Sequence, residues 1–89
     1  MLREAYKPGA LDTKTKELIS VATAAYTRCK YCIVFHVYKA FEAGATQEEI
    51  MESGMVSVAF GDGPSMAYSV TLLRESIEEF MNDFFIFVN

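Results

Sequence analysis

Two cysteines and the single histidine of this 89-residue chain fall in one short segment, Cys29 to His36. In a helix, Cys29 and Cys32 are three positions apart and Cys32 and His36 four apart, so the three side chains share one face. Two thiols at that spacing can close a small disulfide ring with little movement of the backbone. A histidine one turn further along can take a proton from the nearer thiol. The pattern therefore indicates a redox centre.

Two features favour an acidic thiol in this segment, although a free cysteine has a pKa of about 8.5. The motif lies at the predicted N-terminus of a helix, where the dipole favours an anion, and His36 can act as a base or a cationic partner. An imidazole works best with an acceptor that fixes its orientation, usually a carboxylate. Glu17 is the candidate, as the one acid within a strongly apolar helix, where a buried carboxylate needs a partner. A solvent-facing Glu17 beside Lys14 and Lys16 remains the alternative.

The segments that must position these residues are typical of helices with short connections. The predicted helices run from about Lys14 to Arg28, from Cys29 or Lys30 to Ala43, from the capping box Thr46–Glu49 to Phe60, and from Pro64 to Asn82 or Asp83. Asp12 or Thr13 would cap the first, and Gly44 would end the second. With no alternating strand pattern, the sequence predicts an all-α bundle of about four to five helices. Residues 1–89 would form one domain, because the chain is too short for a second core.

The apolar content of the chain, 52% of its residues, is high for so short a sequence. A chain of this size buries only about three fifths of the surface that it exposes when unfolded, which predicts self-association into a homo-oligomer. The apolar end of the sequence strengthens that prediction: Phe80, Met81, Phe84, Phe85, Ile86, Phe87 and Val88. We expect this end to dock against another subunit, and packing on the domain's own core is the alternative.

Charge and segment lengths exclude several classes of partner. A net charge of −4 and a pI of about 4.8 argue against binding to nucleic acid or to anionic membrane surfaces. No apolar run approaches the roughly 18 residues that a membrane-spanning helix needs, and the first residues lack the pattern of a secretory signal. We therefore expect a cytoplasmic protein, in which a CxxC pair is more often catalytic, redox-sensing or metal-binding than a structural staple.

Three stretches of the sequence resemble the alkylhydroperoxidase D-like, carboxymuconolactone decarboxylase family: residues 9–19, the CxxCxxxH segment and residues 43–50. The redox branch of that family carries a glutamate, eleven intervening residues and then CxxCxxxH. Glu17, Cys29, Cys32 and His36 reproduce this spacing. The resemblance covers about residues 9 to 60 well and the last helix loosely. Tyr31 stands where some redox members carry a further histidine, a departure that weakens the expectation of high peroxidase activity.

The resemblance implies an antioxidant peroxidase of the peroxiredoxin type with the alkylhydroperoxidase D-like fold. Glu17 and His36 would relay protons, Cys32 would attack a small-molecule hydroperoxide, and Cys29 would resolve the sulfenic acid to a disulfide. A dithiol reductant, protein or small molecule, would reopen it. First attack by a helix-terminal Cys29 stays open. The chain is about half as long as alkylhydroperoxidase D, and short members of the family are typically trimers or hexamers.

Three other interpretations remain. The decarboxylase branch of the family does not use the CxxC pair, so the presence of Cys29, Cys32 and His36 argues against a lactone decarboxylase. The same three residues could bind zinc, although structural zinc prefers four ligands, so we expect no bound metal. An oligomeric structural or partner-binding bundle with inert thiols is the third. No nucleotide motif appears, and we expect no cofactor. Phe35 and Phe60 could line an apolar pocket for an organic hydroperoxide.

Overall fold

The helical character of the sequence is confirmed by a computed structural model, which describes the backbone of residues 2–88 and, within them, all side chains except those of Leu2, Val70 and residues 83–88. Over these residues the chain forms six α-helices and no strand. The helices are α1 (Leu2–Tyr6), α2 (Thr13–Thr27), α3 (Lys30–Glu42), α4 (Gln47–Val56), α5 (Val58–Tyr68) and α6 (Arg74–Val88), with a π-helical segment, Ser69–Leu73, before α6. The all-α prediction is confirmed, with one or two more helices than expected.

The prediction that one helix runs from the capping box to Phe60 is wrong at its end, because α4 stops at Val56. Both the backbone amide of Ser57, at 3.1 Å, and its hydroxyl, at 2.6 Å, donate to the carbonyl of Gly54. These bonds tighten the last turn of α4, and α5 starts from Val58 as a separate helix. Such local hydroxyl-to-carbonyl bonds compete with regular helix geometry.

The predicted break near Pro64 is found as a kink within α5. Asp62 has non-helical angles, φ 51° and ψ −134°, and lies between Gly61 and Gly63. Pro64 follows two residues later, and its ring fixes the helical φ with which the chain resumes the helix.

The starts of α2 and α4 are capped as the sequence predicts. Asp12 Oδ1 accepts a hydrogen bond from the amide of Thr15 at 2.7 Å. Thr46 and Glu49 form the complete capping box, and Lys14 Nζ lies 3.0 Å from Glu49 Oε2. The hydrogen bond from the backbone amide of Thr46, with the ammonium of Lys14 as a second cause, lowers the pKa of Glu49 below its ordinary value. This ion pair joins α4 to α2.

The core lies where α2 packs against α3 and α4, with the π-helical segment and α6 completing it. Its buried apolar side chains are Val21, Ala24, Ile33, Val37, Ala40, Ala45, Ile50, Leu73 and Ile77. Because α2 and α3 both contribute to this core, their relative position is fixed by packing. The functional side chains project from these same two helices.

The end of the chain was predicted to dock against another subunit. Residues 84–88 of that segment lie outside the described side chains, although the backbone continues α6 to Val88, past the predicted end. Phe80 packs within the chain itself, stacked on Phe41 at 4.4 Å and edge-on to Tyr38 at 5.6 Å. Within the part of the chain that the structure describes, no helix is long and apolar enough to cross a membrane.

Candidate active site

The two cysteines lie at the start of α3, directly after a sharp turn from α2. Arg28 adopts the left-handed conformation, with φ 59°, and donates its backbone N–H to the carbonyl of Ala24. Cys29 follows as the N-cap of α3 with extended backbone angles. This connection keeps the N-terminus of α3 close to the end of α2.

Cys29 and Cys32 form a disulfide, and their Cα atoms are 5.2 Å apart. That separation falls inside the usual range for disulfides. Cys29 Sγ also accepts a hydrogen bond from the amide of Cys32 at 3.2 Å. The sulfur of Cys29 therefore takes the place of the side-chain oxygen in an ordinary helix cap, where a negative charge is favoured.

His36 and Glu17 form a close pair across α3 and α2. His36 Nδ1 lies 2.7 Å from Glu17 Oε1, and the two side chains are 18% and 7% exposed. The solvent-facing alternative for Glu17 is therefore wrong. Because a carboxylate accepts hydrogen bonds, this contact fits an imidazole that donates from Nδ1–H, and such a tautomer leaves Nε2 free to accept a proton.

A cleft of about 780 Å³ brings Cys32, His36 and Glu17 to one surface. Cys29 is not among its lining residues. The other residues that line it are Arg3, Tyr6, Thr13, Tyr31, Phe35, Lys39, Glu42 and Ala43. Of the two cysteines, Cys32 thus shares the cleft with the histidine and the carboxylate.

Aromatic rings surround the imidazole of His36. The ring of Tyr6 stacks on it with centroids 5.8 Å apart and planes at 25°. The ring of Phe35 meets it edge-on at 5.1 Å, and Tyr31 stacks on Phe35 at 6.0 Å. These rings give the cleft apolar walls beside the polar side chains of Glu17 and His36.

The expectation that Phe35 and Phe60 line one pocket is half wrong. Phe35 lines the cleft, whereas Phe60 is 78% exposed and lies in a separate groove with Tyr26 and Val56. Tyr6 also lines the cleft, although it belongs to none of the sequence motifs. No local pattern marks this residue, because its contact with His36 joins segments that are 30 positions apart.

The zinc alternative would use Cys29, Cys32 and His36, and in this structure the two cysteines are joined in a disulfide. Among the described residues, no group of three or more His, Cys, Asp and Glu side chains is placed to hold a metal ion.

The fold and the site agree with a family relationship. Residues 1–75 match the sequence model of the carboxymuconolactone decarboxylase family. The chain belongs to this family, and its all-helical structure is the alkylhydroperoxidase D-like fold of its structural neighbours.

Two solved structures of family members are similar to this chain. A carboxymuconolactone decarboxylase family protein from Legionella pneumophila is 44% identical, with a TM-score of 0.82 over 89% of this chain and 70% of that one. A family protein from Thermotoga maritima, for which a role in the antioxidative response has been suggested, is 33% identical, with a TM-score of 0.71 over 91% of this chain and 72% of that one.

Two relatives were found by sequence. An uncharacterized protein from the cox locus of Paracoccus denitrificans is 44% identical over 64 residues, which are 72% of this chain and 58% of the relative. An uncharacterized protein of Cupriavidus necator is 33% identical over 69 residues, 78% of this chain and 61% of the relative. The chain thus spans about three fifths of the length of these two proteins.

Proposed function

We propose that the chain is a thiol-dependent peroxidase of the alkylhydroperoxidase D type, which reduces organic hydroperoxides through a dithiol–disulfide cycle of Cys29 and Cys32. One observation carries the proposal: Cys32, which is joined to Cys29 in a disulfide, lies at the same cleft as the Glu17–His36 hydrogen bond. The antioxidative role suggested for the Thermotoga maritima neighbour supports the same activity.

The cycle starts from the reduced pair, with His36 as the base. Nε2 takes the proton of the Cys32 thiol. The carboxylate of Glu17 accepts the hydrogen bond from Nδ1–H and balances the charge of the imidazolium. The Cys32 thiolate attacks the terminal, hydrogen-bearing oxygen of the hydroperoxide, so that an S–O bond forms as the O–O bond breaks. The alkoxide leaves as an alcohol with the proton returned by His36, and Cys32 becomes a sulfenic acid. Cys32 is assigned the attack because it is the cysteine that lines the cleft.

Cys29 completes the oxidation. Its thiolate attacks the sulfenic sulfur of Cys32, water leaves, and the disulfide forms; the sum is hydroperoxide plus two thiols to alcohol, water and disulfide. The hydrogen bond from the Cys32 amide to Cys29 Sγ stabilises negative charge at Cys29. That stabilisation suits Cys29 to the roles of resolving thiolate and of leaving group during reduction.

Reduction requires a dithiol donor. A donor thiolate attacks one sulfur of the disulfide, and its second thiol releases the mixed disulfide, so that two electrons return to the cysteine pair. The cytoplasmic location expected from the sequence would supply such donors, either a protein or a small dithiol.

The size and walls of the cleft favour an organic hydroperoxide over hydrogen peroxide. A volume of about 780 Å³ falls within the range of small-molecule sites. The rings of Tyr6, Tyr31 and Phe35 give it apolar walls that can bury the organic group of the substrate.

Intact-protein mass and free-thiol counts before and after one equivalent of cumene hydroperoxide test the proposal. The reduced protein should lose both thiols and two hydrogens, and dithiothreitol should restore them. In Cys29→Ser, the sulfenic acid should persist and be trapped on Cys32 by dimedone. The Cys32→Ser protein should neither turn over nor be trapped. Thiols that stay unreactive in the folded wild-type protein would refute the peroxidase, and trapping on Cys29 would reverse the order of attack.

A further inference from the structure

The side chain of Tyr6, the last residue of α1, lies against the imidazole of His36. Its ring stacks on the imidazole of His36 at 5.8 Å and 25°, and it lines the same cleft. We propose that Tyr6 is a positioning residue, which holds the imidazole of His36 in the orientation that proton exchange with Cys32 requires. This inference rests on the proposed function for its kinetic part.

Tyr6 is attached to α2 on both sides of Glu17. Thr13 Oγ1 donates to the backbone carbonyl of Tyr6 at 2.8 Å, and the hydroxyls of Tyr6 and Ser20 are hydrogen-bonded to each other. Thr13, Glu17 and Ser20 are spaced by four and three positions, so they share one face of α2. Thr13 holds the backbone carbonyl of Tyr6 and Ser20 holds its hydroxyl, from positions about 10 Å apart along α2. Glu17, which lies between them, binds His36.

The imidazole needs such support because its hydrogen bond fixes it at one point only. The bond from Nδ1 to Glu17 leaves the ring able to tilt, since the χ2 torsion of histidine is broad. Phe35 also contacts the ring, but it is the adjacent residue on α3 and moves with it. Tyr6 belongs to another element and covers one face of the ring. It therefore restricts the tilt of the ring.

The test compares Tyr6→Leu, which removes the stacked ring, with Tyr6→Phe, which keeps the ring and loses only the hydroxyl. Tyr26→Leu is the matched control, because Tyr26 is a half-exposed tyrosine that lies outside the cleft, in the groove with Phe60. The readouts are kcat and KM for cumene hydroperoxide with dithiothreitol, the melting temperature, and the imidazole ¹⁵N spectrum. That spectrum reports one residue, since the chain has a single histidine.

In Tyr6→Leu, kcat should fall about tenfold with KM changed by less than about threefold, because a misplaced catalytic group costs rate at constant binding. The ¹⁵N spectrum should show the Nδ1–H tautomer replaced by an exchanging mixture. Tyr6→Phe should restore the spectrum and stay within about threefold of wild type. The Tyr26→Leu protein should match wild type in both kinetics and spectrum.

The inference would be overturned by a Tyr6→Leu protein that folds and keeps the wild-type kcat and the wild-type imidazole tautomer. The ¹⁵N spectrum needs no turnover. If wild type reduced no hydroperoxide, the proposed function would fail, and the spectrum would still decide whether Tyr6 orients His36.

Discussion

At the scale of single residues, the chemistry depends on which atoms of four side chains meet. Glu17 is buried and directs its carboxylate to Nδ1 of His36, which leaves Nε2 available for the proton of a thiol. Cys32 lines the cleft with this pair, while Cys29 caps α3 with its sulfur. The two cysteines therefore have different surroundings, although they are linked by one disulfide.

Replacing Glu17 by Gln should slow hydroperoxide turnover and leave the fold intact. The amide can still accept the Nδ1 hydrogen bond, but it carries no charge to balance the imidazolium that forms when His36 takes a proton. We expect kcat to fall by about 10²-fold, a typical contribution of acid–base catalysis, at nearly unchanged far-UV circular dichroism. Steady-state kinetics with cumene hydroperoxide and dithiothreitol would measure the effect.

The matched control for Glu17→Gln is Glu42→Gln. Glu42 lines the same cleft, is exposed, and pairs only weakly with Lys39, at 3.4 Å. Its neutralisation should change kcat by less than about threefold, the small effect expected of an exposed ion pair. Equal losses in the two variants would contradict the relay and indicate a general effect of charge in the cleft.

At the scale of the elements, close approach of α4 to the π-helical segment completes the core beneath α2. The contact depends on Gly54, which is buried: a Cβ there would collide with the side chain of Leu73 and crowd Ser69 Oγ. Ser69 Oγ donates to the carbonyl of Gly54 at 3.0 Å. The glycine thus allows both the packing and the hydrogen bond.

Gly54→Ala should destabilise the protein, because the added methyl group forces Leu73 out of place. Overpacking of this kind costs about 1 to 3 kcal/mol of the free energy of unfolding, which urea unfolding followed by circular dichroism would measure. Gly63→Ala is the control, since a Cβ at Gly63 would have no neighbour within 4 Å. An equal loss of stability in the two variants would show that the contact with Leu73 is not the cause.

The cap of α2 makes a small, pH-dependent contribution to stability. Hydrogen bonds from the side chain and the amide of Thr15 lower the pKa of Asp12 below 3.8. Because the folded pKa is the lower one, the stabilisation is present above about pH 4 and is lost as the pH falls through the folded value. The difference in melting temperature between wild type and Asp12→Ala should therefore shrink from pH 7 to pH 2.5.

Asp12→Asn serves as the comparison for this pH dependence. Asparagine caps a helix as well as aspartate does, and its amide does not titrate. The difference in melting temperature between Asp12→Asn and Asp12→Ala should stay constant over the same pH range. A constant difference between wild type and Asp12→Ala would contradict the assigned role of the carboxylate.

At the scale of the whole molecule, exposed apolar side chains remain on faces away from the cleft. Val56 is 60% exposed and Phe60 is 78% exposed, and both line a groove next to Tyr26. Contiguous apolar surface of this kind favours association. The homo-oligomer expected from the sequence, a trimer or hexamer, remains a prediction.

Sedimentation velocity would test that prediction. We expect a mass that is a multiple of the 10.0 kDa of the chain, and Phe60→Glu should shift it towards the monomer, because a charge would have to be desolvated in the interface. Glu52→Gln, at an exposed polar position on α4, should leave the mass unchanged. A 10.0 kDa species in the wild type at micromolar concentration would show that the chain is a monomer.

The sequence by itself determined the features that depend on neighbours along the chain. The spacing of Cys29, Cys32 and His36 is a local helical geometry, and the caps by Asp12 and by the Thr46–Glu49 box are formed within one turn. The all-α class follows from the same periodicity. Local rules failed at Ser57, where hydroxyl and amide both bind Gly54 and end α4 early, because a serine at that position is equally compatible with a continuing helix.

The tertiary structure decided the features that depend on contacts between helices. From periodicity alone, Glu17 could face solvent or the interior; packing of α2 on α3 buries it against His36. Packing of the other helices places Phe60 of α5 away from the cleft, Phe80 of α6 on Phe41, and Tyr6 of α1 over the imidazole. These contacts join segments that are 19 to 39 positions apart, and no local spacing encodes them. Burial of the shared core between the helices sets their relative positions and therefore selects which side chains meet.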